Sequence, residues 1–444
     1  MREPSWVAAW TGGRPAVHVG NVAEFNAEYG GVAAGPDHYS CLAVFAGPCP
    51  SAVVLPRQVD AAWVAGLSAV LGWGEVAVHA GLARDGRLSA AIAARPGLLA
   101  ALRSGEAPVL PWGRTAAFER VVPSPPGVRE AVTTFESKRR AHALFRELAG
   151  DHPGVVVPAQ RPVGSRRELR RELRRAWRAG PPLVVKAEYG VGGSGTTIVG
   201  PGAGRAGPAA RGEGLLLEEY VPGEGPYRDP TFDAVIDAEG KTHPVGAGAM
   251  AVDGTAYQGV TVGPGALPGP LAATAERFGV AVGRALAAHG YRGWYDVDFV
   301  TGETGLLAPT EINLRLTGPA VAFTIAARLD RLRGGRHLVR TLDRLPLGAR
   351  LPPAALRAHV ERLTEVCREL GAVPLVTCPT AAFDRLPYLG MALAALDHAA
   401  LDAAEQAVRW ADRALGAMFT EVGPAEGPAF WPRRRRPRSR PASA

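Results

Sequence analysis

Apolar and polar positions follow two different periods along the first hundred residues. Short apolar, β-branched runs occupy 16–20 (AVHVG), 52–55 and 76–79, whereas 59–71 and 88–102 repeat their apolar residues at helical spacing. Strand, helix, strand, helix predicts a small parallel α/β layer. Gly20, Asn21, Pro56 and Arg57 close its strands. Strand ends in such layers carry ligand contacts, although ordinary turn chemistry accounts for these residue types as well. No G-x-G-x-x-G follows the first strand, so a dinucleotide-binding domain is not predicted. Residues 106–134, rich in Pro and Gly, read as a domain boundary.

Beyond that boundary the pattern predicts an amphipathic helix carrying Phe135, Ala141, Leu144, Phe145 and Leu148, with Thr134 or Ser137 as its cap. An Arg/Glu-laced helix at 165–179 follows, then strands at 183–187 and 196–199 around a glycine-rich loop at 190–195. After a Gly/Ala/Pro insertion at 201–214 come the apolar strand LLLEEYV, hairpins over 231–262 and a long helix at 271–289. Segments 319–332 and 334–345 read as helical, as do 353–370 and 397–418, with a strand at 373–377 between the last two.

The stretch between the long helix and 319 carries the densest chemistry. YDVDFVTGETGLLAPTEINLR (295–315) reads as two strands joined by a Gly turn. Alternation puts Glu311, Asn313 and Arg315 on one face and turns Ile312 and Leu314 to the other. Asp298 on the first strand, with Glu311 and Asn313, makes an oxygen-only site suited to Mg²⁺. Arg315 beside it would stabilise developing negative charge. A polar surface hairpin would give the same pattern.

Two lysines gain weight because Lys is scarce in this chain. Lys186 ends a strand just before the loop Gly190–Gly195, whose backbone N–H groups can gather around a polyphosphate. A P-loop is excluded, since the lysine precedes the glycines and no helix follows. Lys138 lies in the first turn of its helix, where a cation is disfavoured unless an anion is near.

Composition changes the picture little. At 444 residues the chain is long enough for two or three domains. Its net charge of +8 includes six arginines in PRRRRPRSRP near the C-terminus, and subtracting those leaves +2. No aromatics interleave with these arginines, so a nucleic-acid platform is not predicted, and the tail at 431–444 reads as disordered. Four cysteines without C-x-x-C spacing read as reduced thiols. No signal-peptide core or membrane-length apolar run is present, and a soluble, cytoplasmic protein is expected.

Taken in order, Lys138, Lys186 before its glycine loop, LLLEEYV, the long helix, DVDF and EINLR resemble the ATP-grasp superfamily over residues 130–330. The start of the chain (VGN, VVLPRQVD) and PLVTCPTAAFDRLPYLG further on resemble the pheganomycin-type peptide ligases. The resemblance implies an α+β ATP-grasp fold, two α+β lobes enclosing ATP. It would be preceded by a small α/β pre-ATP-grasp domain over 1–125 and followed by a C-terminal α/β part over 331–430. It assigns Lys138 and Lys186 to the nucleotide phosphates or base, and the loop residues Gly192, Gly193, Ser194 and Gly195 to the γ-phosphate. Glu218, Glu219 and Val221 would form the adenine hinge, and Glu224 would take the ribose, with Asp229 or Asp233 as alternatives. Asp298, Glu311 and Asn313 would hold magnesium, for which Mn²⁺ can substitute, and Arg315 with Lys186 would act on the transferred phosphate.

The implied activity is an ATP-dependent carboxylate–amine ligase making a peptide bond through an acyl phosphate, with ADP and phosphate released, in peptide natural-product biosynthesis. Its partners would be carboxylate and amine substrates and a second copy in a homodimer, with neither membrane nor nucleic acid. The alternatives are an ATP-grasp ligase with a thiol or bicarbonate co-substrate, and a non-catalytic ATP-binding sensor or scaffold.

Overall fold

A computed structural model describes residues 3–30, 37–83, 85–191, 193, 195–200, 214–303 and 305–421, and the side chains of 166, 179 and 417–421 are not described. The Arg-rich tail lies outside these residues. Three sheets organise the described residues. The first is parallel, in the order β3-β2-β1-β4, with β1 Ala16–Val19, β2 Pro50–Val54, β3 Ala77–His79 and β4 Val109–Pro111. The second is antiparallel, β5-β8-β6-β7, with β5 Gln160–Pro162, β6 Leu183–Ala187, β7 Thr196–Val199 and β8 Leu215–Glu219. The third runs β13-β12-β9-β10-β11-β14-β16-β15 and is antiparallel throughout. It comprises β9 Asp229–Ile236, β10 Thr242–Asp253, β11 Ala256–Val262, β12 Gly293–Thr301, β13 Leu307–Asn313, β14 Leu338–Pro346, β15 Val373–Cys378 and β16 Tyr388–Ala395.

Four sequence expectations change. β4 falls within the segment read as a boundary; it is an edge strand, where flanking prolines cost no ladder hydrogen bond. The helix expected over 88–102 is two, Leu88–Ala93 and Pro96–Arg103, because Arg95 precedes a proline. The segment 334–345 is not helical but carries β14. A register shift between Leu342 and Leu345 disrupts its period of two, so buried Leu338, Leu342 and Leu345 fall at a spacing that imitates a helix. Phe135 belongs to its own helix, Val128–Phe135, ahead of the helix Lys138–Ala149, whose cap is Ser137.

The large sheet is buried on both faces. Val235, Trp294, Val260, Val262 and Val339 pack against the helix Gly318–Arg333 and the N-terminal layer. On the other face Phe232, Tyr295, Val297 and Ile312 pack on the helices Gly269–Ala288 and Lys138–Ala149. The helices Pro353–Glu369 and His398–Glu421 cover the β14–β16 end of the sheet. The second sheet has only a small core, Leu169, Val185, Val199, Leu215 and Leu217, closed by the helix Arg166–Ala179.

His18, at the centre of the first sheet, makes this packing sensitive to acid. Its Nδ1 is 2.9 Å from the Val44 carbonyl and its Nε2 has no partner among the described residues. Burial pushes its pKa from 6.5 to about 4. The unfolded chain therefore takes up a proton below pH 6.5 that the folded chain refuses until about pH 4. Stability from this residue is complete above pH 6.5 and falls by about 3 kcal/mol on the way to pH 4, at ~1.4 kcal/mol per unit. His18→Asn, which keeps a donor for Val44, should remove this slope from urea midpoints compared at pH 7 and pH 5.

Candidate active site

The site forms where the second sheet faces the β12–β13 edge of the large one. Asp298 on β12 lies directly opposite Glu311 on β13, and Asp296 opposite Asn313. A register shift beside Asp298 leaves an extra residue on β13, and a bulge there re-aims the strand end that carries Glu311. Asn313 donates through Nδ2 to Asp296 Oδ1 at 2.7 Å and Asp298 Oδ2 at 3.3 Å, while its Oδ1 accepts from Arg315 at 2.6 Å. Asp233 on β9 is the register neighbour of Asp296 and accepts from Trp294 Nε1 at 2.8 Å.

Four carboxylates thus crowd three adjacent strands, and their protonation reflects it. Burial, followed by the charges of Asp296 and Glu311, pushes Asp298 well up. Asp296 is driven chiefly by burial to about 7, and Asp233 rises through burial and the charge of Asp296. Glu311 moves the other way: burial pushes it up, but Lys138, Lys186 and Arg315 together hold it below the ordinary glutamate value.

Lys138 enters from the helix Lys138–Ala149. Ser137 Oγ caps that helix by accepting from the Arg140 amide and donates to Glu188 Oε1 at 2.6 Å. The Lys138 Nζ is 2.7 Å from Glu311 Oε2 and 3.1 Å from the Gly190 carbonyl. The anion that a first-turn cation needs is Glu311. Lys186 enters from the second sheet, 2.6 Å from Glu218 Oε1 on β8 and 3.5 Å from the Thr310 carbonyl on β13. Glu218 also accepts from Gln160 Nε2 at 2.7 Å. Both lysines are nearly buried, so each charge is held by a carboxylate rather than by water.

The glycine loop closes on the large sheet. Gly193 and Gly195 have φ of 76° and 90°, and Gly193 approaches the Thr255 carbonyl too closely to admit a Cβ. Gly192 and Ser194 lie outside the described residues. The Glu219 side chain accepts from the Ala159 amide, and the Val221 carbonyl accepts from Arg228 at 2.7 Å. Glu224 is not brought to the lysines and carboxylates. It is exposed in a cleft of about 500 Å³ with Glu303, Tyr227 and Leu271, on the side of the helix Gly269–Ala288, which packs on the sheet face opposite Asp298. Asp229, by contrast, starts β9 in the same alternation as Thr231 and Asp233.

Asp296, Glu136 and Thr317 were not picked out from the sequence. Asp296 had a signal, since it shares the period of Asp298. Glu136 had none: it is buried, accepts from the Leu314 amide at 2.7 Å, and its Oε2 lies 4.0 Å from Arg315 Nε. Thr317, also buried, has an Oγ1 without a hydrogen-bond partner among the described residues.

Among the described residues no three His, Cys, Asp or Glu form a metal cage of their own. A magnesium site needs no such cage, because Mg²⁺ takes one or two carboxylates and completes its shell with water and phosphate oxygens. Asp298 Oδ1 is buried with no hydrogen-bond partner among the described residues, in a cluster whose carboxylates repel one another. That is the arrangement a divalent cation relieves, and the residues fit it.

No protein-family model matches the sequence, and no curated protein matches it. Solved structures do. N5-carboxyaminoimidazole ribonucleotide synthetase from Thermus thermophilus aligns over 82% of this chain and 91% of its own, at 20% identity and a TM-score of 0.50. Biotin carboxylase from Campylobacter jejuni, solved with β,γ-ATP, aligns over 91% and 95%, at 14% identity and a TM-score of 0.52. The fold is the ATP-grasp fold. The parallel layer precedes the antiparallel sheets, and among the described residues no helix is long and apolar enough to cross a membrane.

Proposed function

We propose that the protein is an ATP-dependent carboxylate–amine ligase that forms an amide bond through an acyl phosphate. One observation carries this reading: two nearly buried lysines, from different elements, converge with Arg315 on a carboxylate-rich strand pair beneath a glycine loop. Lys138 and Lys186 would exchange their carboxylate partners for polyphosphate oxygens. A substrate carboxylate oxygen then attacks the γ-phosphorus, the bond from that phosphorus to the bridging oxygen breaks, and ADP leaves. The substrate amine attacks the acyl carbon, phosphate departs, and the nitrogen gives up a proton. Arg315 would hold the transferred phosphoryl group and the oxyanion that follows.

Asp298, Glu311 and Asn313 would hold magnesium, which when bound would neutralise charge on the β- and γ-phosphates. Gly193 and Gly195 would help keep water from the acyl phosphate. Asp229 suits the ribose better than Glu224, because it starts β9 on the Asp233 side of the sheet. The finer assignment, a peptide-forming ligase of natural-product biosynthesis, is supported by the resemblance of VGN, VVLPRQVD and PLVTCPTAAFDRLPYLG to pheganomycin-type ligases.

The test uses Mg-ATP, a panel of amino acids and short peptides, and hydroxylamine as the amine. ADP together with a hydroxamate is the expected result and names the carboxylate. AMP would replace the acyl phosphate with an adenylate and sink the mechanism. ADP release that requires bicarbonate would make the enzyme a carboxylase instead.

A further inference from the structure

Arg315 is gripped from three parts of the chain, and only one of them belongs to its own hairpin. Within the hairpin its guanidinium donates to Asn313 Oδ1 and, at 3.3 Å, to the Leu316 carbonyl. From the start of the helix that carries Lys138, Glu136 pins the Leu314 amide and stands 4.0 Å from Arg315 Nε. From the N-terminal layer the Phe25 ring lies 5.4 Å beneath the guanidinium carbon.

The N-terminal layer holds the backbone too. Gly113 forms an isolated antiparallel bridge with Arg315, and the Leu316 amide donates to the Trp112 carbonyl at 2.9 Å. Asn21, buried at the end of β1, clasps Gly113 through both sides of its amide: Nδ2 donates to the Gly113 carbonyl at 2.8 Å, and Oδ1 accepts the Gly113 amide at 3.4 Å. The Phe25 ring occupies the space that a Cβ on residue 113 would need, so only glycine lets ring and guanidinium stack. Against all this support, Arg315 Nε remains buried with no hydrogen-bond partner among the described residues.

We infer that Asn21, Phe25, Gly113 and Glu136 are positioning residues, a cradle by which the N-terminal layer and the segment before Lys138 fix the guanidinium of Arg315 for an oxygen of the transferring phosphoryl group. A guanidinium fixed through one N–H on each of Nη1 and Nη2 and stacked on a ring is pre-organised to offer its remaining N–H groups to an anionic acceptor. In the sequence Asn21 is marked as a strand-end residue and as the last residue of VGN, with no link to Arg315. The inference rests on the ligase reading for the ligand of Arg315, but its test needs neither turnover nor a known carboxylate.

Affinities for ADP and for β,γ-imido-ATP are measured by calorimetry in excess Mg²⁺ on the full chain, and their ratio reports the contact made to the terminal phosphate. Arg315→Ala should reduce the preference for β,γ-imido-ATP by about tenfold, within the range of coupling for a charge-assisted contact. Phe25→Leu and Glu136→Gln should each lose about threefold to tenfold of that preference while leaving ADP affinity within twofold. In the Arg315→Ala background they should change it no further. Unchanged ADP affinity shows that the protein is folded, and the absence of further loss is something a merely structural role would not produce. Two results would overturn the cradle: additive losses in the Arg315→Ala background, or single variants that keep the wild-type preference. If wild-type protein releases AMP in place of ADP yet shows these ratios, the acyl-phosphate ligase reading fails and the cradle stands.

Discussion

Glu311→Gln should lower ADP formation in the hydroxylamine assay by about 10²–10³-fold, the scale seen when a single preorganised electrostatic group is removed. The substitution keeps the shape of the side chain and removes one charge. That charge does two jobs. It neutralises Lys138 at 2.7 Å, and it faces Asp298 across the strand pair as one of the two carboxylates that would hold magnesium. Without it, Lys138 loses its ion-pair partner and a bound metal would lose the ligand whose carboxyl Lys138, Lys186 and Arg315 hold below the ordinary glutamate value. Leaving the nearly buried Lys138 without its ion-pair partner costs stability and relief of repulsion on Asp298 offsets part of it, so urea midpoints are read alongside activity. The discriminating measurement is ADP affinity with and without Mg²⁺. The variant should bind metal-free ADP much as wild type does and lose the gain that Mg²⁺ provides. A variant that keeps that gain would remove Glu311 from the metal site.

The parts of this site legible in the sequence are those whose geometry is local. A period of two puts Glu311, Asn313 and Arg315 on one face, and a lysine before a run of glycines needs only one strand and one turn to be read. The contacts of Arg315 could not be read that way. Phe25, Gly113 and Glu136 come from three distant stretches, and nothing in their neighbours marks them until the N-terminal layer docks on the hairpin. The same division explains the fold. β14 imitates a helix because its bulge breaks the alternation, and it becomes a strand because β11 and β16 offer it two ladders. The Pro-flanked β4 is readable only once its edge position is known. Glu224 illustrates the converse. It is the first acid after the hinge, in a segment whose spacing already departs from the common one, and the chain from Val221 to Arg228 runs beside the β12–β13 turn and places it in the cleft with Glu303, Arg228 holding the Val221 and Gly223 carbonyls.

Lys186→Met should abolish nucleotide binding and also destabilise the second sheet, and the two losses should separate. Lys186 and Glu218 are both nearly buried and 2.6 Å apart, so deleting the lysine leaves a carboxylate in a low-dielectric site. Breaking one side of such a pair costs about 3–5 kcal/mol. Gln160 still donates to Glu218 here, which places the expected loss at the lower end, ~3 kcal/mol. That loss falls on a sheet whose core is small among the described residues and whose edges are β5 and β7, so it should appear as local opening rather than global unfolding. Hydrogen exchange should quicken in the amides of β6 and β8 and stay slow in β9 and β12. Adding Glu218→Gln removes the orphaned charge and should restore most of the protection. It cannot restore the cation, so ATP affinity should remain at least about 100-fold below wild type, as expected for loss of a buried charge-assisted contact. Recovery of both together would make Lys186 a structural partner of Glu218 only. Recovery of protection alone assigns it to the phosphates.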